Sequence, residues 1–125
     1  MNVVDSSGWL EYLAEEPNAD FFAPAIENTA ELIVPSISVY EVFKRISQQR
    51  DEHTALQATA LMMQGQVIPL DISIALSAAK TSVALSLPMA DSVILATARA
   101  FGATLWTQDE HFKSVEGVRY IAKKK

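Results

Sequence analysis

The chain has 125 residues, half of them apolar, no cysteine and a formal net charge of -5. That length fits one domain, residues 1–125, with enough apolar surface for a core and with no disulfide framework or thiolate metal site. The acidic balance argues against a partner held by a broad Lys/Arg surface, unless several acids converge on divalent cations and invert the local sign. No basic segment precedes an apolar run at the N-terminus, and the apolar region 72–98 is interrupted by Lys80, Pro88 and Asp91. The expectation is therefore a cytoplasmic protein with no signal peptide and no membrane span.

In chain order, residues 2–4 read as a short apolar strand ending at Asp5, and Ser6 and Ser7 as N-caps of a helix over 8–15. Pro17 and Asn18 break that helix. A second helix follows over 19–26. Trp9, Tyr12, Phe21 and Phe22 crowd this stretch, as core or as a partner surface. A strand over 32–34 leads to a helix over 38–49, then a more polar helix over 51–63, stopped by Gly65. A third strand spans 66–70, and Asp71 caps a helix over 72–85. Pro88 opens the next helix and Gly102 closes it. Strands over 104–107 and 118–121 complete the pattern. Short apolar strands alternating with helices specify an α/β sandwich with a largely parallel sheet. Ligands of such sheets bind beyond the carboxyl ends of the strands.

Several acids fall at that edge. Asp5, Asp71 and Asp109 follow strands, and Asp91 and Glu41 lie near helix N-termini. Ile94, Leu95, Ala98 and Phe101 place Asp91 on the inward face of its helix, where a carboxylate must be paired, hydrogen-bonded or bound to a metal. Each of the others has a structural alternative. Asp5 can cap the first helix. Glu41, taken alone, closes a capping box with Ser38 or pairs with Lys44 or Arg45. Asp109 reads either as a ligand or as the cap of a turn over 110–115, and Asp71 reads as a cap. Taken together, convergent carboxylates repel one another unless a cation sits between them, and all-oxygen sets suit Mg²⁺ or Mn²⁺. Such ions activate water and stabilise the leaving oxygen of a phosphodiester, so metal-dependent phosphodiester hydrolysis is the expected reaction. His53 reads as surface, and His111 as a solvated turn residue or, alternatively, as part of the site. There is no G-x-S-x-G, no GxxxxGK[ST] and no GxGxxG.

The segments VVDSSGWLEYL at 3–13, VPSISVYEVFKRI at 34–46, LPMADSVILATARAFGATLWTQDEHF at 87–112 and the closing VRYI appear in that order. With them the chain resembles the PIN-domain ribonucleases, and among those the VapC-type toxins of toxin–antitoxin pairs. The resemblance implies a PIN-like three-layer α/β sandwich, with a central, mainly parallel sheet of four to five strands flanked by helices. It implies an acidic quartet of Asp5, Glu41, Asp91 and Asp109 that is both catalytic and metal-binding, with Thr107 supporting it. It also implies Mg²⁺ or Mn²⁺ as cofactor, an RNA substrate, a homodimer and a cognate antitoxin protein. Lys44, Arg45, Arg50, Lys80 and Arg99 are the basic candidates for RNA contact. Two other readings stand beside this one. A catalytically silent PIN-like protein-binding module would use the aromatic stretch and the acidic charge. A receiver-like phosphoacceptor domain would need a Lys after a late strand, and Lys113 is poorly placed for that.

Overall fold

Side-chain alternation along three short strands decides which face of the sheet each helix covers. The computed structural model describes residues 1–124. Strands β1 (Asn2–Val4), β2 (Leu32–Pro35), β3 (Gln66–Ile68), β4 (Thr104–Thr107) and β5 (Val118–Tyr120) form one parallel sheet in the order β3-β2-β1-β4-β5. The register aligns Val3 with Ile33 on one side and Leu105 on the other. All three are fully buried, and they form one core with Ile94, Leu95 and Ala98 of helix α6 (Met89–Ala100). One residue along each strand, Val4, Leu32, Val34 and Trp106 face the opposite way. They pack with Trp9, Phe22, Val42, Ile46 and Met62. Those residues come from α1 (Ser6–Leu13), α2 (Ala19–Glu27), α3 (Ser36–Gln49) and α4 (Glu52–Met62). A period of two in the strands thus yields two separate cores and three layers.

Helix α6 is buried on more than its sheet face. Val93 and Ala96 pack against Ile74 and Ala78 of α5 (Ile72–Leu85), and small alanines let the two helices approach closely. The expected inward stripe therefore holds for Ile94, Leu95 and Ala98. It fails at Phe101, which caps the helix and is 38% exposed. The chain turns by 117° between α5 and α6, and no single helix is long and apolar enough to cross a membrane. Trp9 and Phe22 are core residues, so the aromatic stretch serves packing first.

Two helix starts differ from expectation for the same reason. Helix α1 begins at Ser6, and its N-cap is Asp5, whose carboxylate accepts from the Gly8 N–H at 2.9 Å. Helix α3 begins at Ser36 directly after Pro35, so Ser38 lies inside the helix and no capping box forms with Glu41. Each strand feeds its helix without a loop. This short coupling fixes the first helical turn over the carboxyl end of the sheet. Asp51 and Asp71 cap α4 and α5 as side-chain acceptors.

Gly8 is tied to this coupling by space. A Cβ there would lie 2.6 Å from both Phe22 Cε1 and Val4 Cγ1. Gly8→Ala should therefore destabilise the fold by about 1–3 kcal/mol through overpacking, although alanine is the better helix former. Urea unfolding measures this, and a variant as stable as the parent would show that the contact relaxes freely.

Candidate active site

The chain runs from β1 outward to β2 and β3, then returns to place β4 on the other side of β1. The sheet order therefore reverses between β1 and β4, where ligands of open α/β sheets bind. Asp5 follows β1 at this point, and Thr107 ends β4. The two are joined directly, since Thr107 Oγ1 donates to Asp5 Oδ2 at 2.5 Å. Asp5 also accepts from Ser7 Oγ at 2.9 and 3.0 Å and from the Gly8 N–H. These donors favour the carboxylate, yet burial outweighs them and pushes the Asp5 carboxyl up to about 7, with the nearby Asp109 charge adding to the rise. Asp5 is thus both a helix cap and a carboxylate held out of water at the switch point.

Asp91 and Asp109 meet beside it. Asp91 sits in the first turn of α6 and Asp109 just beyond β4. The Asp109 N–H donates to Thr107 Oγ1 at 2.9 Å, so the one Thr107 hydroxyl donates to the Asp5 carboxylate and accepts from the Asp109 backbone. The Asp91 carboxyl is raised, mainly by burial and then by the charges of Asp109 and, more weakly, Glu41. The contact with His111 offsets part of this rise, and a carboxylate perturbed by burial and like charge is a candidate functional group. Glu41, on α3, accepts from Ser6 Oγ at 2.6 Å. Among the described residues neither Lys44 nor Arg45 pairs with it. Its structural alternatives, the capping box and the intrahelical ion pair, are thus both replaced by a contact that turns it toward the start of α1.

His111 lies outside the acidic quartet, and its sequence reading is a solvated turn residue with a role in the site as the alternative. Its side chain is indeed 56% exposed, but Nδ1 lies 2.8 Å from Asp91 Oδ2 and 3.1 Å from Asp109 Oδ1. Its pKa is raised, first by the bond to Asp91 and then by the Asp109 charge. Asp109 Oδ1 also accepts the His111 N–H at 2.9 Å, which closes a short 3-10 turn over Glu110–Phe112. The buried Phe112 anchors that turn in the core. A D-x-H spacing after a strand was the available signal. It was read as a turn because only the fold brings Asp91 alongside.

A second buried network holds the end of β4. Gln108 Nε2 donates to Glu11 Oε1, and Asn18 Nδ2 donates to Gln108 Oε1, both at 3.0 Å. Glu11, Asn18 and Gln108 are all buried, so this network ties α1 and the start of α2 to the residue before Asp109. Of the basic candidates, Arg45 and Arg50 line a groove of about 800 Å³ that reaches Ser7. Arg99 lies eight residues beyond Asp91 on α6, about 12 Å along the helix axis, at the far end from the acids.

The carboxylates fit a hard divalent cation. Among the described residues no Lys or Arg pairs with Asp5, Glu41, Asp91 or Asp109, and their one cationic partner is His111. Ligand atoms of Asp91, Asp109 and His111 all lie within 4.8 Å of one another. Oxygen donors with unneutralised charge are the set that Mg²⁺ or Mn²⁺ takes.

Residues 3–118 match the PIN domain family. No curated protein matches the chain. Solved structures of similar fold include a toxin–antitoxin complex from Klebsiella pneumoniae, 19% identical, with a TM-score of 0.80 over 95% of this chain and 96% of that one. VapC20 of Mycobacterium tuberculosis, a sarcin–ricin loop cleaving toxin, is 14% identical, with a TM-score of 0.77 over 93% and 95%. DNA-bound VapBC from Salmonella typhimurium is 15% identical, with a TM-score of 0.74 over 98% of both chains. At such identities the likeness is one of fold.

The raised Asp5 carboxyl has a consequence for stability. Its folded value near 7 lies above the unfolded 3.8, so the folded state binds the proton more tightly. The stability this proton contributes is complete below the unfolded value and is lost as pH rises through the folded one. In EDTA, the parent should lose stability between about pH 5 and about pH 8 by roughly 2–3 kcal/mol more than Asp5→Asn loses over the same range. Urea unfolding across that range tests it; parallel curves for the two proteins would refute it.

Proposed function

The chain belongs to the PIN-domain family, and from that membership we propose that it is a metal-dependent endoribonuclease, the toxin of a toxin–antitoxin pair. The observation that carries this reading is the meeting of Asp91 and Asp109, with Asp109 tied through Thr107 to the buried Asp5 at the β1–β4 switch point, and with no Lys or Arg partner for these acids among the described residues. In this reading Asp5, Glu41, Asp91 and Asp109 form the catalytic, metal-binding set. Mg²⁺ or Mn²⁺ held there would make water a nucleophile near neutral pH and offset the charge of the scissile phosphate.

The chain's own groups supply orientation. Ser7, Gly8 and Thr107 hold the Asp5 carboxylate with every hydrogen bond directed to its ionised form. Ser6 holds Glu41, and Thr107 fixes the backbone of Asp109. Side chains positioned before substrate arrives need no rearrangement at the moment of reaction. RNA as substrate draws on the family resemblance and on the sarcin–ricin loop cleavage of the Mycobacterium tuberculosis toxin.

Two partner surfaces accord with this role. The groove beside Ser7 has an apolar floor that includes Leu10, Leu13, Ile46 and Leu61, with Arg45 and Arg50 along it. We assign it to an antitoxin segment, by analogy with the toxin–antitoxin complexes of similar fold. Ile72, Leu76 and Val83 share one face of α5 and are 76%, 61% and 85% exposed, and we place a second copy of the chain there as a homodimer.

Purified protein incubated with RNA should cleave it in Mg²⁺ or Mn²⁺ and lose all cleavage in EDTA. Asp91→Asn should lower the rate by at least about a hundredfold, because the variant keeps the helix but removes a ligand charge. Cleavage that persists in EDTA, or in Asp91→Asn at the parent's rate, would refute the assignment.

A further inference from the structure

Among the described residues, His111 is the one titratable side chain outside the quartet that bonds to its carboxylates. Both recorded contacts of its ring are to carboxylates, Asp91 Oδ2 and Asp109 Oδ1, and both run to the same nitrogen, Nδ1. Three candidate ligand atoms therefore face one point and lie within 4.8 Å of one another. The backbone beneath the ring is fixed from two sides. Asp109 Oδ1 accepts the His111 N–H, and the fully buried Phe112 pins the next residue into the core. The outer side of the ring is open to solvent, so it can shift slightly toward a bound ion without displacing core atoms.

We infer that His111 Nδ1 ligates the same cation as Asp91 and Asp109, and that this nitrogen makes the site favour Mn²⁺ over Mg²⁺. The inference rests on the metal-dependent reading above and goes beyond it by adding a ligand and choosing between the two ions. Mg²⁺ is hard, keeps its waters and gains little from imidazole. Mn²⁺ stands lowest among the first-row transition ions in affinity for nitrogen, but it takes a neutral imidazole more readily than Mg²⁺ does and still suits carboxylate oxygen. Two carboxylates and one imidazole on one side of an ion leave its other positions for water and substrate oxygens.

Mn²⁺ alone is the probe, added to the full chain and followed by electron paramagnetic resonance. The chain has two histidines, and His53 is exposed on α4, outside the segments that carry the quartet, so a nitrogen signal can be assigned by substitution. Bound Mn²⁺ should show coupling to a directly coordinated ¹⁴N in the parent and in His53→Ala, and none in His111→Ala. Titration should show His111→Ala binding Mn²⁺ about tenfold more weakly or worse, with Mg²⁺ affinity, read by competition, changed far less. Circular dichroism checks that the variant is folded. Bound Mn²⁺ without nitrogen coupling, or unchanged Mn²⁺ affinity in His111→Ala, would overturn the role of His111 and leave the acidic site standing. Absence of Mn²⁺ binding in the parent would overturn both.

Discussion

A carboxylate held out of water between β1 and β4 is the constraint on which the site is built. Asp5 lies where the first strand ends, and its charge is disfavoured by burial even with Ser7, Gly8 and Thr107 donating to it. A fold selected only for stability would place an apolar residue there, because burying a charge without a counter-charge costs several kcal/mol. Asp91 and Asp109 compound the cost by bringing like charge to the same edge. The arrangement becomes intelligible once a cation is allowed into it. The local potential then turns from repulsive to attractive for a phosphodiester, in spite of the acidic chain as a whole.

The rest of the molecule braces this edge. Strands feed α1 and α3 with no intervening loop, so Ser6, Ser7 and Glu41 are fixed by helical geometry. Helix α6 is buried against the sheet and against α5, which holds Asp91 on a rigid support. Thr107 links the ends of two strands, and the Glu11–Asn18–Gln108 network secures the residue between Thr107 and Asp109. Packing on both faces of the sheet thus converges on its carboxyl end.

Most of the architecture was legible because parallel strands buried on both faces leave a plain signal. Short apolar runs punctuated by Asp, Pro and Gly located all five strands and six helices, with ends shifted by a few residues. Shifts arose where capping is decided by geometry. Asp5 and Ser6 compete for the same cap, and the direct strand-to-helix turn settles it in favour of Asp5. At α3 that turn moves the start two residues upstream, which dissolves the capping box expected for Glu41. Phe101 continues the periodic stripe but falls where the helix has already ended.

The sequence by itself determined the alternation of strand and helix, the two-faced burial of the sheet and the presence of unneutralised acids at strand ends and helix starts. Those properties follow from local periodicity and from the cost of charge on an apolar stripe. Which acids meet was a matter for tertiary structure, since the reversal of strand order sets Asp5 beside Thr107 across 102 positions of chain. The same holds for His111. Its D-x-H spacing from Asp109 fits a solvated turn as well as a site, and what separates the two is Asp91, twenty positions away, reaching the same Nδ1.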